Sequence, residues 1–126
     1  RIAVLGLAFK PNTDDLREAK SIEIIHWLLQ RNADVVAYDP VAMDNARQIL
    51  PDIAYAGGPY EAAEGADALL VVTEWNEFKL LNLNKIGGVM RQKVIFDGRN
   101  IYQPERVAKA GFEYISIGRP CQLVQD

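Results

Sequence analysis

Short apolar runs alternate along the chain with segments in which apolar residues recur every three or four positions. Most of the runs are apolar at consecutive positions, which is typical of strands that are covered on both faces. The predicted strands are Ile2 to Leu7, Asp34 to Tyr38, Ile53 to Tyr55, Ala68 to Thr73, Val94 to Asp97 and Glu113 to Ile117. The alternation of strands and helices therefore predicts an α/β domain.

The segments between the strands have helical periodicity. In the longest, Leu16 to Arg31, apolar residues form one wide face. The spacing of Asp15 and Glu18 predicts a capping box at its start. Gly111 is expected to end the last helix. The other predicted helices are Ala42 to Leu50, Pro59 to Glu64, Asn82 to Met90 and Pro104 to Ala110.

This order of elements predicts a three-layer α/β/α fold with a parallel, Rossmann-like sheet in the strand order 3-2-1-4-5-6. Such sheets bind ligands at the carboxyl ends of their strands. Three cations fall in the loops at that edge: Lys10 and Arg17 after the first strand, and Arg99 after the fifth. Guanidinium and ammonium groups suit phosphate oxygens, so the edge is a candidate site for a phosphorylated ligand.

Alternative interpretations apply to each residue at this edge. Exposed loop cations are usually solvated and contact no ligand. Phe9, beside Lys10, is either a wall for a base or sugar or a hydrophobic plug under the loop. Gly98 is expected to allow a turn with positive φ, which either directs Arg99 toward a ligand or only ends a strand.

Composition narrows the function classes. The 126 residues are 49% hydrophobic and 25% charged, and 14 Lys and Arg against 17 Asp and Glu give a formal net charge of -3. A slightly acidic chain is poorly suited to nucleic acid or to an anionic membrane. No apolar run approaches the about 20 residues that a membrane span needs. The expected partner is therefore a small molecule.

The first residues of the chain and its cysteine content indicate its origin and its location. The chain opens at Arg1 without Met and enters a strand at once, so it is expected to be a piece of a longer protein. Its single cysteine, Cys121, cannot form an internal disulfide, which favours a cytoplasmic location.

Several motifs together resemble one family. The run Gly-Leu-Ala-Phe-Lys-Pro-Asn-Thr-Asp-Asp-Leu-Arg-Glu, from Gly6 to Glu18, is similar to the opening signature of the carboxy-terminal domain of the UDP-glucose/GDP-mannose dehydrogenases. The resemblance covers Ile2 to Arg119. The motifs that follow in the family's order are Tyr38-Asp39-Pro40, Thr73-Glu74-Trp75, Asp97-Gly98-Arg99-Asn100 and Ile117-Gly118-Arg119.

The resemblance implies a UDP-sugar-binding domain at 1–119 and a tail at 120–126. The family's full-length enzymes oxidise the C6 alcohol of a nucleotide sugar to a carboxylate in two NAD-dependent steps, and they form homo-oligomers. Phe9, Lys10 and Arg99 match substrate-binding positions, and Arg17 matches an arginine that reaches NAD. The first motif is most like the UDP-glucose members, which makes UDP-glucose the expected substrate, with GDP-mannose and UDP-N-acetylmannosamine as alternatives.

Other parts of that family's machinery have no counterpart in this sequence. The catalytic cysteine motif and the amino-terminal NAD-binding domain are missing, so the isolated chain is expected to be inactive and NAD to be bound mainly elsewhere. Cys121 has no nearby His to activate it, and His26 stands alone, so neither a catalytic residue nor a metal site is predicted. Asp39 follows the second strand, as a ribose-binding acid does in dinucleotide folds, but no Gly-x-Gly-x-x-Gly precedes it.

Two further function classes stay open. A phospho-acceptor signalling domain would also carry acids near the first strand and a Thr after a later one. However, Asp14 and Asp15 lie well beyond the strand end, and Arg99 stands where that class needs a Lys. A purely structural dimerisation domain is the other alternative, and it would bind no nucleotide sugar.

Overall fold

The computed structural model describes residues 1–17 and 19–116. In this part of the chain six strands form one sheet, and each neighbouring pair is parallel. The strands are β1 (Ile2–Leu5), β2 (Val35–Tyr38), β3 (Ala54–Tyr55), β4 (Ala68–Val71), β5 (Val94–Asp97) and β6 (Glu113–Ser116). Their order, β3-β2-β1-β4-β5-β6, confirms the prediction.

Six helices connect the described strands. They are α1 (Lys20–Gln30), α2 (Met43–Ile49), α3 (Pro59–Ala63), α4 (Asn76–Lys79), α5 (Leu83–Val89) and α6 (Pro104–Lys109). The sequence did not predict α4, because four residues are too few to show a period; the helix buries Phe78. Gly111 follows α6 with a φ of 87°, as expected. Within residues 1–17 and 19–116, no helix has the length and apolar character needed to cross a bilayer.

The helices cover the sheet on both faces and so give the predicted three layers. On one face, Ile25 of α1 and Ala46 of α2 pack with Val4 and Val35. On the other face, α3, α4, α5 and α6 contribute to a larger cluster with the alternate strand positions, including Leu5. This explains why all four residues of β2 are buried. Cover on both faces of the sheet therefore explains the continuous apolar runs, as the sequence predicted.

The start of the long helix differs from the prediction. The first helical residue is Lys20, and the N-cap residue Ala19 has an extended backbone and no side-chain capping bond. The predicted capping box at Asp15 is wrong, because the Asp15 carboxylate accepts hydrogen bonds from the amide and guanidinium of Arg17 instead. Residues 11–17 thus form part of the loop that follows β1. Glu18 lies outside the described residues.

Gly6 allows this loop to pass close to the end of β4. Its φ is 99°, and a Cβ at this position would lie 2.5 Å from Cβ of Thr73. The Gly6 amide donates to the carbonyl of Tyr38 at 2.8 Å, and the Thr73 hydroxyl donates to the carbonyl of Ala8 at 2.7 Å. A side chain at position 6 would therefore disturb both neighbouring strand ends.

Replacing Gly6 tests this close approach. Gly6→Ala combines a positive φ with a steric clash, so we expect it to lower the free energy of unfolding by at least about 2 kcal/mol. The matched control is Gly88→Ala on the exposed side of α5, where a Cβ meets no atom within 4 Å. That helical substitution should raise the free energy of unfolding by about 0.5–1 kcal/mol. Urea unfolding of both variants measures the difference, and equal stabilities would contradict the account.

Candidate functional site

The loops with the predicted site residues lie at one edge of the sheet. Leu5 at the end of β1 pairs with Tyr38 of β2 and with Val71 of β4, and Val71 pairs with Asp97 of β5. Because all these strands are parallel, the chain leaves each of them on the same side. We refer to this carboxyl side of β1, β2, β4 and β5, with the loops that follow them, as the ligand edge.

Asp39, the first residue after β2, holds the loops of the ligand edge together. Its side chain is completely buried. Oδ2 accepts from the amides of Leu7 at 2.8 Å and Ala8 at 3.1 Å and from Nε1 of Trp75 at 3.3 Å, and Oδ1 accepts from the amides of Val41 and Ala42 at 2.9 Å each. A buried carboxylate is stable only when donors of this kind surround it. The Asp39 carboxylate thus joins the chain after β1, the start of α2 and the chain after β4.

These contacts do not fit the role of a ribose-binding acid for Asp39. A ribose-binding acid must present a free oxygen to the ligand, whereas both oxygens of Asp39 accept hydrogen bonds inside the protein and neither reaches solvent. The described residues therefore do not fit a dinucleotide site in this domain, although the sheet has the strand order of a Rossmann fold.

Asp97, the last residue of β5, organises the neighbouring loop in a similar way. It is 1% exposed. Its Oδ1 accepts from the amide of Arg99 at 2.9 Å, and its Oδ2 accepts from the amides of Ile101 at 2.8 Å and Tyr102 at 3.2 Å and from the hydroxyl of Tyr114 at 2.6 Å. The Asp-Gly-Arg motif therefore begins with a structural acid that fixes the backbone of the arginine.

The prediction of a positive φ at Gly98 is wrong. The left-handed residue of this loop is Asn100, with a φ of 56°. Gly98 is needed for space instead: its amide donates to the carbonyl of Val71 at 2.9 Å, and a Cβ would lie 3.0 Å from that same oxygen. Gly98 thus allows the loop after β5 to turn back over the end of β4.

Arg99 is paired with an acid from the adjacent loop. Its Nε donates to the carboxylate of Glu74, which follows Thr73 at the end of β4. The hydrogen bond to Glu74 raises the pKa of Arg99. The side chains of Arg99 and Glu74 are 43% and 29% exposed, so both remain accessible to a ligand.

Phe9 and Lys10 lie next to each other on the surface of the loop after β1. The Phe9 side chain is exposed, and Nζ of Lys10 is 5.3 Å from the centre of its ring. The exposure of Phe9 disfavours the alternative of a hydrophobic plug. Pro11 and Asn12 of the same loop line a cleft of about 240 Å³ whose other wall is the segment from Glu74 to Lys79. The loops of Lys10 and of Arg99's partner Glu74 are therefore neighbours.

Arg17 lies in a different part of the ligand edge. Its guanidinium donates to the Asp15 carboxylate through Nε at 3.0 Å and through Nη2 at 2.7 Å. These hydrogen bonds, helped by the charge of Lys10, lower the pKa of Asp15 to about 2. Asp15 and Arg17 border a groove of about 640 Å³ that is completed by Asn45, Gln48 and Ile49. Arg17, with its side chain 88% exposed, thus faces α2, whereas Arg99 faces the loop after β4.

Sequence reasoning did not assign a function to Asp39 or Glu74. From the sequence, Asp39 is only a candidate ribose-binding acid, and Glu74 is only part of the Thr-Glu-Trp motif. The signal for both was their position directly after a strand at the predicted ligand edge. Apart from Val41 and Ala42, the partners of Asp39 lie 31–36 residues away, and the partner of Glu74 lies 25 residues away, which no local pattern reveals. Trp27 of α1, away from these loops, is 52% exposed and stacks with Arg31.

No metal cluster is seen in the described part of the chain: nowhere in residues 1–17 and 19–116 do three His, Cys, Asp or Glu side chains come together. The exposed His26 therefore belongs to no such group among these residues. Cys121 and the Ile117-Gly118-Arg119 motif lie outside the described residues.

Removal of the Asp39 carboxylate tests its structural role. Asp39→Ala leaves several buried donors without an acceptor, so we expect the free energy of unfolding to fall by at least about 3 kcal/mol. Asp39→Asn keeps one oxygen acceptor and should lose less. The control is Asp52→Ala in the exposed turn before β3, expected within about 0.5 kcal/mol of the unaltered protein. If urea unfolding gives Asp39→Ala the stability of the control, Asp39 does not hold the edge together.

Comparison with known proteins assigns the chain to a family. The sequence profile of the UDP-glucose/GDP-mannose dehydrogenase family, UDP binding domain, matches residues 3–104. A UDP-glucose 6-dehydrogenase of Rhizobium meliloti (strain 1021) is 49% identical over 120 residues, which are 95% of this chain and 28% of that protein. The UDP-glucose 6-dehydrogenase TuaD of Bacillus subtilis (strain 168) is 48% identical, over 94% of this chain and 26% of that protein.

Solved structures agree with the sequence matches. A UDP-glucose dehydrogenase from Pyrobaculum islandicum superposes with a TM-score of 0.73 at 35% identity, over 93% of this chain and 24% of that one. A UDP-D-ManNAc dehydrogenase from Pyrococcus horikoshii gives 0.73 at 36% identity, over 94% and 25%. The chain thus spans about a quarter of the length of the proteins it matches. It belongs to the UDP-glucose/GDP-mannose dehydrogenase family, in which it corresponds to the UDP-binding domain.

Proposed function

We propose that residues 1–119 form the substrate-binding domain of an NAD-dependent dehydrogenase that oxidises UDP-glucose to UDP-glucuronate, with residues 120–126 as a tail. One observation carries the proposal. In a chain of this family, an aromatic ring and two cations, Phe9, Lys10 and Arg99, are all exposed in neighbouring loops of the ligand edge. A nucleoside diphosphate offers the complementary groups, a flat base and two phosphates.

Each side chain has a role that its chemistry supports. The Arg99 guanidinium can donate two parallel hydrogen bonds to one phosphate, and the Lys10 ammonium supplies a point charge to the diphosphate. The exposed ring of Phe9 provides a flat apolar surface for the base or the ribose. The domain therefore binds and orients the UDP-sugar, and it contributes no nucleophile to the reaction.

The oxidation itself belongs to other parts of the parent protein. Conversion of an alcohol to a carboxylate removes four electrons, which corresponds to two hydrides and hence to two NAD per sugar. NAD is bound mainly by a domain outside this chain, and the burial of Asp39, which keeps its carboxylate away from any ribose, supports this division. Arg17 reaches that NAD from the ligand edge; its exposure on the α2 side supports this role. We further propose that the parent is a cytoplasmic homo-oligomer.

The choice of sugar rests on the relatives. The relatives from Rhizobium and Bacillus are UDP-glucose 6-dehydrogenases, which favours UDP-glucose. A second candidate is UDP-N-acetylmannosamine, because structurally similar chains include dehydrogenases of that sugar. The full-length parent should be assayed with both sugars and with GDP-mannose. We expect two NADH per UDP-glucose and much slower turnover of the others; turnover of another sugar alone would overturn the choice.

The three cations have separable roles, which alanine variants of the full-length parent can test. Lys10→Ala and Arg99→Ala should chiefly weaken binding of UDP-glucose, and Arg17→Ala should chiefly weaken binding of NAD. Loss of a charge-assisted contact to a ligand anion corresponds to a factor of about 10 to 150 in the dissociation constant. Arg99→Lys should also be impaired, since an ammonium cannot donate two parallel hydrogen bonds.

A cation from the opposite edge provides the control. Arg91 follows α5, pairs with Asp67 and lies at the amino ends of the strands, so Arg91→Ala should change neither dissociation constant by more than about twofold. Dissociation constants for UDP-glucose and NAD would be measured by calorimetry. If all three edge variants behave like the control, the loop cations are merely solvated and the proposed site is wrong.

A further inference from the structure

We infer that Glu74 is a positioning residue, which orients the Arg99 guanidinium toward the diphosphate of the bound UDP-sugar. The inference rests on the proposed function, and it adds an acid to the residues that form the proposed site. The Glu74 carboxylate would act only through Arg99 and would not contact the ligand.

The ion pair between Glu74 and Arg99 uses only one nitrogen of the guanidinium. Glu74 accepts a hydrogen bond from Nε of Arg99, and among the described residues the Nη1 and Nη2 atoms of Arg99 have no hydrogen-bond partner. A guanidinium is planar and rigid, so fixing Nε also fixes the direction of both Nη groups. The end of the guanidinium that binds a phosphate oxygen pair is therefore oriented and available.

The ion pair of Arg17 shows that this arrangement is not general in the chain. Arg17 donates to Asp15 through Nε and Nη2 together, so one whole side of its guanidinium is used within the protein. Arg17 is also more than twice as exposed as Arg99, with 88% against 43% of the side chain accessible. Of these two edge arginines, only Arg99 keeps the full Nη end for a ligand.

The backbones on both sides of the Glu74–Arg99 pair are fixed. The Arg99 amide donates to the buried Asp97 at 2.9 Å. Glu74 directly follows Thr73, whose buried hydroxyl donates to the carbonyl of Ala8 at 2.7 Å. Ala8 in turn precedes Phe9 in the loop with Lys10. The pair is thus connected through the backbone to the loop that carries Phe9 and Lys10. Little conformational freedom of Arg99 remains to be lost on binding.

A carboxylate beside an arginine has a second possible effect, which is competition with the ligand phosphate. The geometry favours positioning, because a phosphate can approach the Nη end while the Nε bond to Glu74 stays intact. Competition would require the phosphate to displace Glu74. The two effects have opposite signs: loss of Glu74 weakens UDP binding under positioning and strengthens it under competition.

A double-mutant cycle with UDP as the probe tests the inference in the full-length parent. Glu74→Ala should weaken UDP binding about tenfold, which is within the usual coupling of two contacting residues. Glu74→Gln keeps an oxygen acceptor for Nε and should rescue binding to within about threefold of the unaltered protein. In an Arg99→Ala background, Glu74→Ala should change the dissociation constant by less than about twofold. The control is Glu23→Ala on α1, which removes an acid paired with Lys20 and should have no effect.

The outcomes separate the inference from the proposed function. Loss of UDP binding in Arg99→Ala but unchanged or tighter binding in Glu74→Ala would overturn the positioning role and leave the proposed function intact. Equal weakening by Glu74→Ala with and without Arg99 would also overturn it, because Glu74 would then act on the fold in general. If the unaltered parent does not bind UDP, the proposed function fails and the inference fails with it.

Discussion

The arrangement of the ligand edge depends on the buried carboxylate of Asp39. Burial of an ion without partners would cost several kcal/mol, and five donors from three parts of the chain prevent that cost here. The same hydrogen bonds fix where the chain leaves β1, where α2 begins and where Trp75 packs. The position from which the exposed loop with Phe9 and Lys10 leaves the sheet is therefore fixed.

The buried acids of the ligand edge hold the loops in place, whereas its cations are exposed to a ligand. Asp39 and Asp97 are buried, and their charges are satisfied by backbone amides and by neutral side chains. Among the described residues, neither acid forms a salt bridge with a cation of the edge. Lys10, Arg17 and Arg99 remain at the surface. Arg17 pairs with Asp15 and Arg99 with Glu74, and among the described residues Arg99 keeps both Nη groups for an anion, even though the chain as a whole has a net charge of -3. In a domain that binds a nucleoside diphosphate, this separation is the expected one.

The sequence predicted the sheet and its ligand edge because both follow from the hydrophobic pattern. Consecutive apolar residues in β2 and β4 required cover on both faces, and the alternation with helices then restricted the topology. The start of α1 could not be predicted, since Asp15 had two possible donors and the local turn with Arg17 prevailed over capping. The pairing of Glu74 with Arg99 depends on the adjacency of β4 and β5, so it became visible only with the fold.

The central claim is that UDP-sugar binds across the loops of the ligand edge, with Arg99 on the diphosphate. A crystal structure of the full-length parent with UDP-glucose tests it most directly. The account predicts the diphosphate within hydrogen-bond distance of the Nη atoms of Arg99 and near Nζ of Lys10, with the base or ribose against Phe9 and the Glu74 bond to Nε retained. A diphosphate bound away from the carboxyl ends of β1, β4 and β5, with Arg99 directed to solvent, would contradict it.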